Sequence, residues 1–516
     1  MEAWLIATSI LIGYIVLCII LGIGSWRILK VDLEDYFVLS RTAGFALLYL
    51  GIVATYHSAF AILTSAAVFR SFGIAFWAAG TWTFMTGICT YLLGYRFWLL
   101  GKKYSYITPG DLLSDYYESN LLRIIIAVVY AIFMVPYITV QAIGLGIITS
   151  IASFGNIPYE VGVIALLGVT ALYLTLGGVR AIYWTDLMQG IWMFVGIWAG
   201  GLFLVFSLFG GPAGMFEAVA KVKPELLSLP GVARYAPYPM WFSWLLLFAV
   251  GIVLQPQIWM NYYTARDAKT MKWLGATTPL YLMFIYVPAA FIGLSAAALE
   301  AQGRFPELAS MIKTFGTADV VFPAMMMKYA PAWFTGLVMA GAAAAAMSTA
   351  DRMFNSTTAV LVRDLYQRYI KPQASQKHLV NASRFLVLPL YLLGCWFALM
   401  KPGILFEIVL IAGAGTLQLL PAVIGAIYPM RFKLTKAGVI SGIVVGAFMQ
   451  FPLLLFPRWG WLPKEWLNPY DFHAGVWGLV FNIIIAIIVS LFTKKPSAGA
   501  TEKFHGYLES EIYGRK

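Results

Sequence analysis

Ser348 and Thr349, followed one turn later by Arg352, stand in the run AGAAAAAMSTADRMFNSTT over 340–358. Two adjacent hydroxyls offer the neutral oxygen atoms that a hard cation prefers. In a helix Ala345, Ser348 and Thr349 fall on one face, and Arg352 shares that face with both hydroxyls. The alanines ahead of them leave room for a second backbone to approach closely. Polar and charged groups at membrane depth are costly, so such a cluster marks a candidate site. The competing use of the hydroxyls is a bond back to the carbonyl four residues earlier, which needs no ligand.

The elements that must hold this cluster follow from composition. The chain is 61% hydrophobic and only 11% charged over 516 residues, whereas soluble domains are about a quarter charged. It reads as an all-α polytopic membrane protein. Apolar runs of roughly 20 residues, each able to cross about 30 Å of hydrocarbon, recur about thirteen times. They lie at 3–26, 43–69, 74–100, 121–151, 159–177, 184–209, 238–263, 272–299, 331–362, 379–400, 404–427, 436–456 and 473–492. The first lacks a basic segment ahead of it and reads as a retained span, not a cleaved signal. Cys18, Cys89 and Cys395 all fall inside these runs, so no disulfide framework is indicated.

Lys and Arg collect in cytoplasmic loops. With the N-terminus outside, most of the 35 basic residues fall on the cytoplasmic side, among them Lys102, Lys103, Arg363, Lys371, Arg515 and Lys516. A smaller set, including Lys401 and Arg458, falls outside, and one, Arg352, is buried deep in a span. Topology thus accounts for the net charge of +12, and no nucleic-acid partner is needed. The expected location is the plasma (inner) membrane. The long loops 210–237 and 300–330 are expected outside, and the tail 494–516 is expected to be cytoplasmic, polar and partly disordered. Beyond the bilayer and a transported solute, no obligatory protein partner is indicated.

Two spans are interrupted. The second carries Gly44, Gly51 and the polar patch Ala54-Thr55-Tyr56-His57-Ser58, and the seventh carries Gly251 and Gln255-Pro256-Gln257. Proline removes a backbone donor and clashes with the carbonyl one turn back. Unpaired backbone at membrane depth survives only where it lines a site or packs on protein. Five spans separate the two interruptions, so a second unit of five enters from the opposite face. The expected organisation is a first helix in 1–30, inverted repeats over 43–209 and 238–427, two more helices in 436–493, and the tail. Interrupted helices at matching positions of inverted repeats point to a secondary transporter's site.

Asp35-Tyr36-Phe37 with Ser40-Arg41, Ala54-Thr55-Tyr56, Gly177-Gly178-Val179-Arg180-Ala181 leading into Trp184-Thr185-Asp186-Leu187-Met188-Gln189-Gly190, Met347-Ser348-Thr349-Ala350-Asp351, and Arg363-Asp364-Leu365-Tyr366 together resemble the signatures of the sodium:solute symporter family. The resemblance runs from about residue 30 to 430, and within the family it is nearest to the pantothenate and monocarboxylate branches. It implies about thirteen helices, an outside N-terminus and a LeuT-type five-plus-five inverted repeat. It implies a coupling sodium ion bound by carbonyls of Ala54, His57 and Ala345 and by the hydroxyls of Ser348 and Thr349. Asp186 matches the acidic residue on the family's sodium exit path; the plainer use is an acid at the start of the sixth helix.

Arg352 and His57 depart from the family pattern. A guanidinium beside Ser348 and Thr349 either competes with sodium or pairs with Asp186 or Asp351, because an unpaired buried charge is costly. An ion-exit or gating role is therefore expected of Asp186 and Arg352 together. The His57 imidazole is open to proton coupling or to an ordinary hydrogen-bonded role. Sodium is the expected coupling ion, with sodium-independent or proton-coupled exchange as the alternative.

The solute cavity is expected between the interrupted helices, lined by Thr55, Tyr56, Ser58, Trp82, Thr86, Gln141, Gln255, Gln257, Thr416 and Gln418. Amides and hydroxyls in an apolar setting suit a small polar organic solute, such as a monocarboxylate or pantothenate. An enzyme is not expected: the four His and three Cys form no metal-ligand spacing and no nucleophile–base pair. A sensor built on a transporter fold would keep the helices and lose the coupling residues, which are present here.

Overall fold

In the computed structural model, which describes residues 2–27, 30–400, 405–457 and 459–514, the chain is helical, and no strand occurs among the described residues. Lys401, Arg458, Arg515 and Lys516, used above in weighing loop charge, lie outside the described residues. Nine helices among the described residues are long and apolar enough to cross a membrane, and two bent pairs bring the number to 11. The principal helices are α1 (Ala3–Trp26), α2 (Phe45–Tyr56), α3 (Phe60–Phe76), α4 (82–104), α5 (Pro109–Tyr116), α6 (Asn120–Ala152), α7 (Tyr159–Phe209), α8 (Tyr238–Gly251) and α9 (Pro256–Tyr263). They continue as α10 (Ala268–Ala301), α11 (Ala332–Ile370), α12 (Gln376–Leu399), α13 (Leu405–Ile427), α14 (Lys436–Leu455) and α15 (Ala474–Leu491). The three cysteines are free and buried.

The 51 residues of α7 would measure roughly 75 Å at 1.5 Å per residue, more than twice the hydrocarbon thickness. Gly178 divides the helix there, with φ +56° and ψ −150°. A Cβ at Gly178 would meet the Tyr36 ring at 2.7 Å and the Tyr36 carbonyl at 2.9 Å, so both conformation and space call for glycine. The division falls where the sequence separates the spans 159–177 and 184–209. The loops 210–237 and 300–330 contain ordered helices of their own, Pro212–Val222, Glu307–Phe315 and Val321–Tyr329.

Contacts gather the basic loops at one end of the bundle. There Arg41 donates to the Tyr106 carbonyl (2.8 Å), Arg180 pairs with Asp35 (2.5 Å), and Arg123 bridges Asp111 (2.7 Å) and Asp364 (2.9 Å). Burial alone would raise the Asp111 carboxyl, but the Arg363 and Arg123 guanidiniums beside it hold it below the usual carboxylate range.

The tail differs from expectation. Its segment 498–513 is helical and docks on this basic end. Phe504 is buried against the rings of Tyr104, Tyr106 and Tyr116, Lys503 pairs with Asp115 (2.5 Å), and Lys433 donates to Thr501 (3.2 Å). Apolar side chains at Phe504 and Leu508, one turn apart, give a polar-looking segment a face worth burying.

Candidate functional site

Both interruptions occur where the sequence places them, and their exposed backbone is used differently. α2 ends at Tyr56, His57 is extended (φ −95°, ψ 100°), and α3 leaves at 60° to α2. The break removes the helical amides that carbonyls near the end of α2 would otherwise receive. The hydroxyls of α11 take their place. Ser348 donates to the Ala54 carbonyl (3.0 Å), and Thr349 lies 3.3 Å from the Thr55 carbonyl and 3.4 Å from that of His57. Both hydroxyls also lie 3.2 Å from the Ala345 carbonyl. The five residues carried over from the family resemblance thus converge, and Thr55 adds a carbonyl that the resemblance did not supply. Ala54, His57, Ala345, Ser348 and Thr349 are fully buried.

The His57 imidazole points away from this oxygen cluster. Its Nδ1 is 3.3 Å from the Val53 carbonyl and its Nε2 3.3 Å from the Leu282 carbonyl of α10. Gln141 caps the start of α3, accepting from the Ala59 amide at 3.0 Å.

At the second interruption Gln255 is extended, and α9 begins at Pro256, bent by 43° from α8. Here the carbonyls are already satisfied: Thr416 donates to Gly251 (2.7 Å) and Tyr130 to Leu254 (2.8 Å). Gln257 donates to Gln255 Oε1 (2.6 Å), which leaves Gln255 Nε2 and Gln257 Oε1 buried without protein partners. Tyr56 and Trp82 lie with ring centroids 6.1 Å apart, and Trp82 lies 5.8 Å from Phe248. Thr55 and Thr86 bond back within their own helices, to Gly51 (2.6 Å) and Trp82 (3.2 Å). Ser58 accepts from the Phe60 amide (3.2 Å). Gln418 stands apart from the others. It donates to the Gly475 carbonyl at the start of α15 (3.1 Å) and accepts from Asn482 (3.3 Å).

Arg352 and Asp186 meet directly. Arg352 Nη2 and Nε donate to Asp186 Oδ2 at 2.7 and 3.1 Å, and the guanidinium lies 4.0 Å over the Tyr183 ring. Asp186 is fully buried eight residues past the Gly178 division, which corrects the reading of an interfacial helix-start acid. Asp351 instead accepts from Tyr173 (2.6 Å). Sequence reasoning missed Asn261, whose Oδ1 accepts from Arg352 Nη1 at 2.6 Å. An asparagine inside an apolar span was the available signal. It also missed Phe406, which stacks on Phe60 (5.7 Å) and lines an opposite-face cavity of about 470 Å³ together with Thr64, Trp244 and Asp319. Aromatic side chains are too common in membrane spans for that role to stand out.

The model of the sodium:solute symporter family matches residues 36–446. The chain belongs to the sodium:solute symporter family. It is therefore a multi-pass membrane protein of a transporter family. It is similar to the sodium/pantothenate symporter of Escherichia coli K12, with 26% identity over 95% of this chain and 97% of that one. It is also similar to the sodium/proline symporter of the same strain, with 25% identity over 75% of this chain and 72% of that one. Among solved structures, a Na+-coupled sialic acid symporter in a substrate-bound, outward-open state superposes with TM-score 0.78 at 16% identity, over 95% of this chain and 99% of that one. That likeness establishes the LeuT-type fold.

Family membership implies sodium as coupling ion, and the oxygen cluster fits it. Four backbone carbonyls and two hydroxyls converge, all neutral oxygens, and hard monovalent cations take such donors. Among the described residues no group of three or more His, Cys, Asp or Glu is placed to hold a metal. Ala54, Thr55, His57, Ala345, Ser348 and Thr349 are the residues that would hold the ion. When bound, sodium supplies a positive charge between α2 and α11 and the driving force of its gradient.

Proposed function

We propose that this protein is a sodium-coupled symporter of a small organic anion, a monocarboxylate, pantothenate or a similar solute, working by alternating access in the plasma membrane. On this reading the N-terminus is outside, and the basic end that holds the docked tail is cytoplasmic. The observation that carries it is the pairing of α2 carbonyls with the Ser348 and Thr349 hydroxyls, an oxygen cluster formed only because α2 is interrupted. The second interruption supports the solute assignment. The N-terminus of α9 carries the positive end of a helix dipole, and Gln255 Nε2 beside it lacks a protein partner. Both favour a carboxylate without requiring an arginine. Pantothenate, proline and sialic acid, the solutes named for the similar proteins, share a carboxylate and differ in the rest, so the Trp82 and Tyr56 side would set which body is accepted.

Ser348 and Thr349 hold α11 to α2 through their donated bonds, and a bound cation would take over those carbonyls. Arg352 stays on Asp186 outside the cluster, which leaves the oxygens free of the guanidinium. Phe406 and Phe60 shield the solute site from the outer cavity.

The test is uptake of labelled pantothenate, short monocarboxylates and proline into proteoliposomes, with and without an inward sodium gradient. Accumulation of an organic acid that requires sodium is the expected result. Equal uptake with potassium or a proton gradient alone would overturn sodium coupling and favour the sodium-independent or proton-coupled alternative.

A further inference from the structure

The Arg352 guanidinium touches more than its carboxylate partner. It belongs to α11, yet it is enclosed by α2, α7 and α9. On α2, a Cβ at Gly51 would lie 2.8 Å from Arg352 Nη2 and 2.6 Å from the Tyr183 ring, so glycine is the residue that lets α2 close over the charge. On α7 it meets Asp186 and Tyr183. On α9 it meets Asn261, at the shortest of its hydrogen bonds, 2.6 Å.

Asn261 is the residue through which these elements communicate. Its Oδ1 also accepts from the Tyr183 hydroxyl (3.1 Å), and its Nδ2 donates to Thr55 Oγ1 (3.4 Å), one residue from the Ala54 carbonyl. Its backbone carbonyl accepts from Thr264 (2.7 Å), whose hydroxyl in turn meets Tyr183 (2.6 Å). The chain ends flanking α2 and α9 are also clasped to each other. The Ala43 amide donates to the Thr264 carbonyl and the Arg266 amide to the Ala43 carbonyl, both at 3.0 Å. The two half-helices on the basic side of the interruptions therefore form one body, and Asn261 is where that body grips a charge on α11.

We propose that Asn261 is a positioning residue that keeps Arg352 on Asp186 until the joined half-helices α2 and α9 move, so that release of the Asp186 carboxylate waits on solute binding at Gln255 and Gln257. The proposal rests on the symport reading above. Its physical content is a geometric linkage. α9 begins at the solute site and reaches Asn261 five residues later, so a rigid shift of α9 at its N-terminus is delivered to the Arg352 bond. If that bond breaks, the guanidinium loses one of two anchors and the path past Asp186 opens.

Asn261→Ala and Asn261→Asp test the linkage, because they alter the grip in opposite directions. Two readouts are used on purified protein in proteoliposomes: solute-free ²²Na+ flux, and labelling from the basic face of a cysteine placed at Thr185, with Cys18, Cys89 and Cys395 replaced. With Asn261→Ala, solute-free sodium flux and labelling should each rise roughly ten- to a hundredfold, the range that one hydrogen bond to a charged group represents. Half-saturating solute should change little. With Asn261→Asp, which offers Arg352 a carboxylate, labelling should be slower than in the unaltered protein. Parallel loss of uptake in both variants, with sodium flux and labelling unchanged, would overturn the proposal. Should Asn261→Ala not be recovered folded, faster labelling in Asn261→Asp overturns it by itself. Labelling does not depend on sodium coupling, so failure of the symport reading would show as sodium-independent uptake while the labelling contrast persisted.

Discussion

The two helix interruptions have the same topology and opposite polarity. At the first, between α2 and α3, carbonyl oxygens of Ala54, Thr55 and His57 face outward from the backbone and meet hydroxyls of α11. At the second, between α8 and α9, the carbonyls of Gly251 and Leu254 are already taken by Thr416 and Tyr130, and what remains is an amide side chain and a helix N-terminus. On the proposed reading the first break would take the cation and the second the anionic solute. The residues decide this, not the fold. Proline at Pro256 starts a new helix without an unused amide, whereas the first break has no proline and is stabilised from a neighbouring helix.

Breaking the first interruption should give the largest effect on sodium dependence. The double change Ser348→Ala with Thr349→Ala removes two of the converging oxygens, each hydrogen-bonding group worth about 1–3 kcal/mol when its partner is left buried. Half-saturating sodium for uptake should rise at least tenfold, while solute binding measured at saturating sodium is largely kept. Unchanged sodium activation would remove the cluster from the ion path.

The Arg352–Asp186 pair lies between the interruptions and should come next. Removing one partner of a buried pair typically costs about 3–5 kcal/mol, so Arg352→Ala alone should nearly abolish uptake. Adding Asp186→Asn should restore part of it, with a coupling of about 1 kcal/mol or more in a double-mutant cycle on uptake rates. Additive effects would show that the pair acts as two separate residues.

A change confined to the second interruption should be smaller and of the other kind. Thr416→Val leaves the Gly251 carbonyl without its donor, an expected loss of about 1–3 kcal/mol. It should appear as a several-fold rise in half-saturating solute with sodium activation unaltered. If sodium activation shifts equally, the two breaks do not divide the labour.

The smallest effect tests a region remote from both. Burial pushes the His505 imidazole below its ordinary value of 6.5, with the Gly425 and Ala426 backbone, Lys433 and Glu509 around it. The docked tail therefore holds His505 neutral. Above the ordinary imidazole range docking is at full strength, and it weakens as pH falls through that range, because only the undocked tail takes the proton readily. Limited proteolysis near Ser497 should be faster at about pH 5.5 than at about pH 7.5. His505→Phe should remove that difference.

The tail also shows where sequence reading stopped. Composition made 494–516 look polar and loose, because Phe504 and Leu508 become a buried face only when Tyr104, Tyr106 and Tyr116 are brought beneath them by separate helices. The apolar runs, by contrast, were readable one by one, since length and hydropathy alone decide whether a helix suits a bilayer. Both interruptions were readable from local sequence, the first from glycines and the polar patch Ala54–Ser58 at mid-span and the second from Gly251 and a proline between two glutamines.

Site residues divide along that line. Ser348 and Thr349 on one helical face, and an unwound stretch at Ala54–His57, are properties of sequence spacing, so their candidacy as a pair was legible. That Gln418 turns toward α15, that Asp186 is fully buried, and that Asn261 grips Arg352 depend on which helices pack together across 57, 91 and 166 residues of chain. Local chemistry determined which groups could bind an ion, and tertiary packing decided which partner each buried charge would find, because a charge in the membrane interior must be paired by whatever element lies nearest in space.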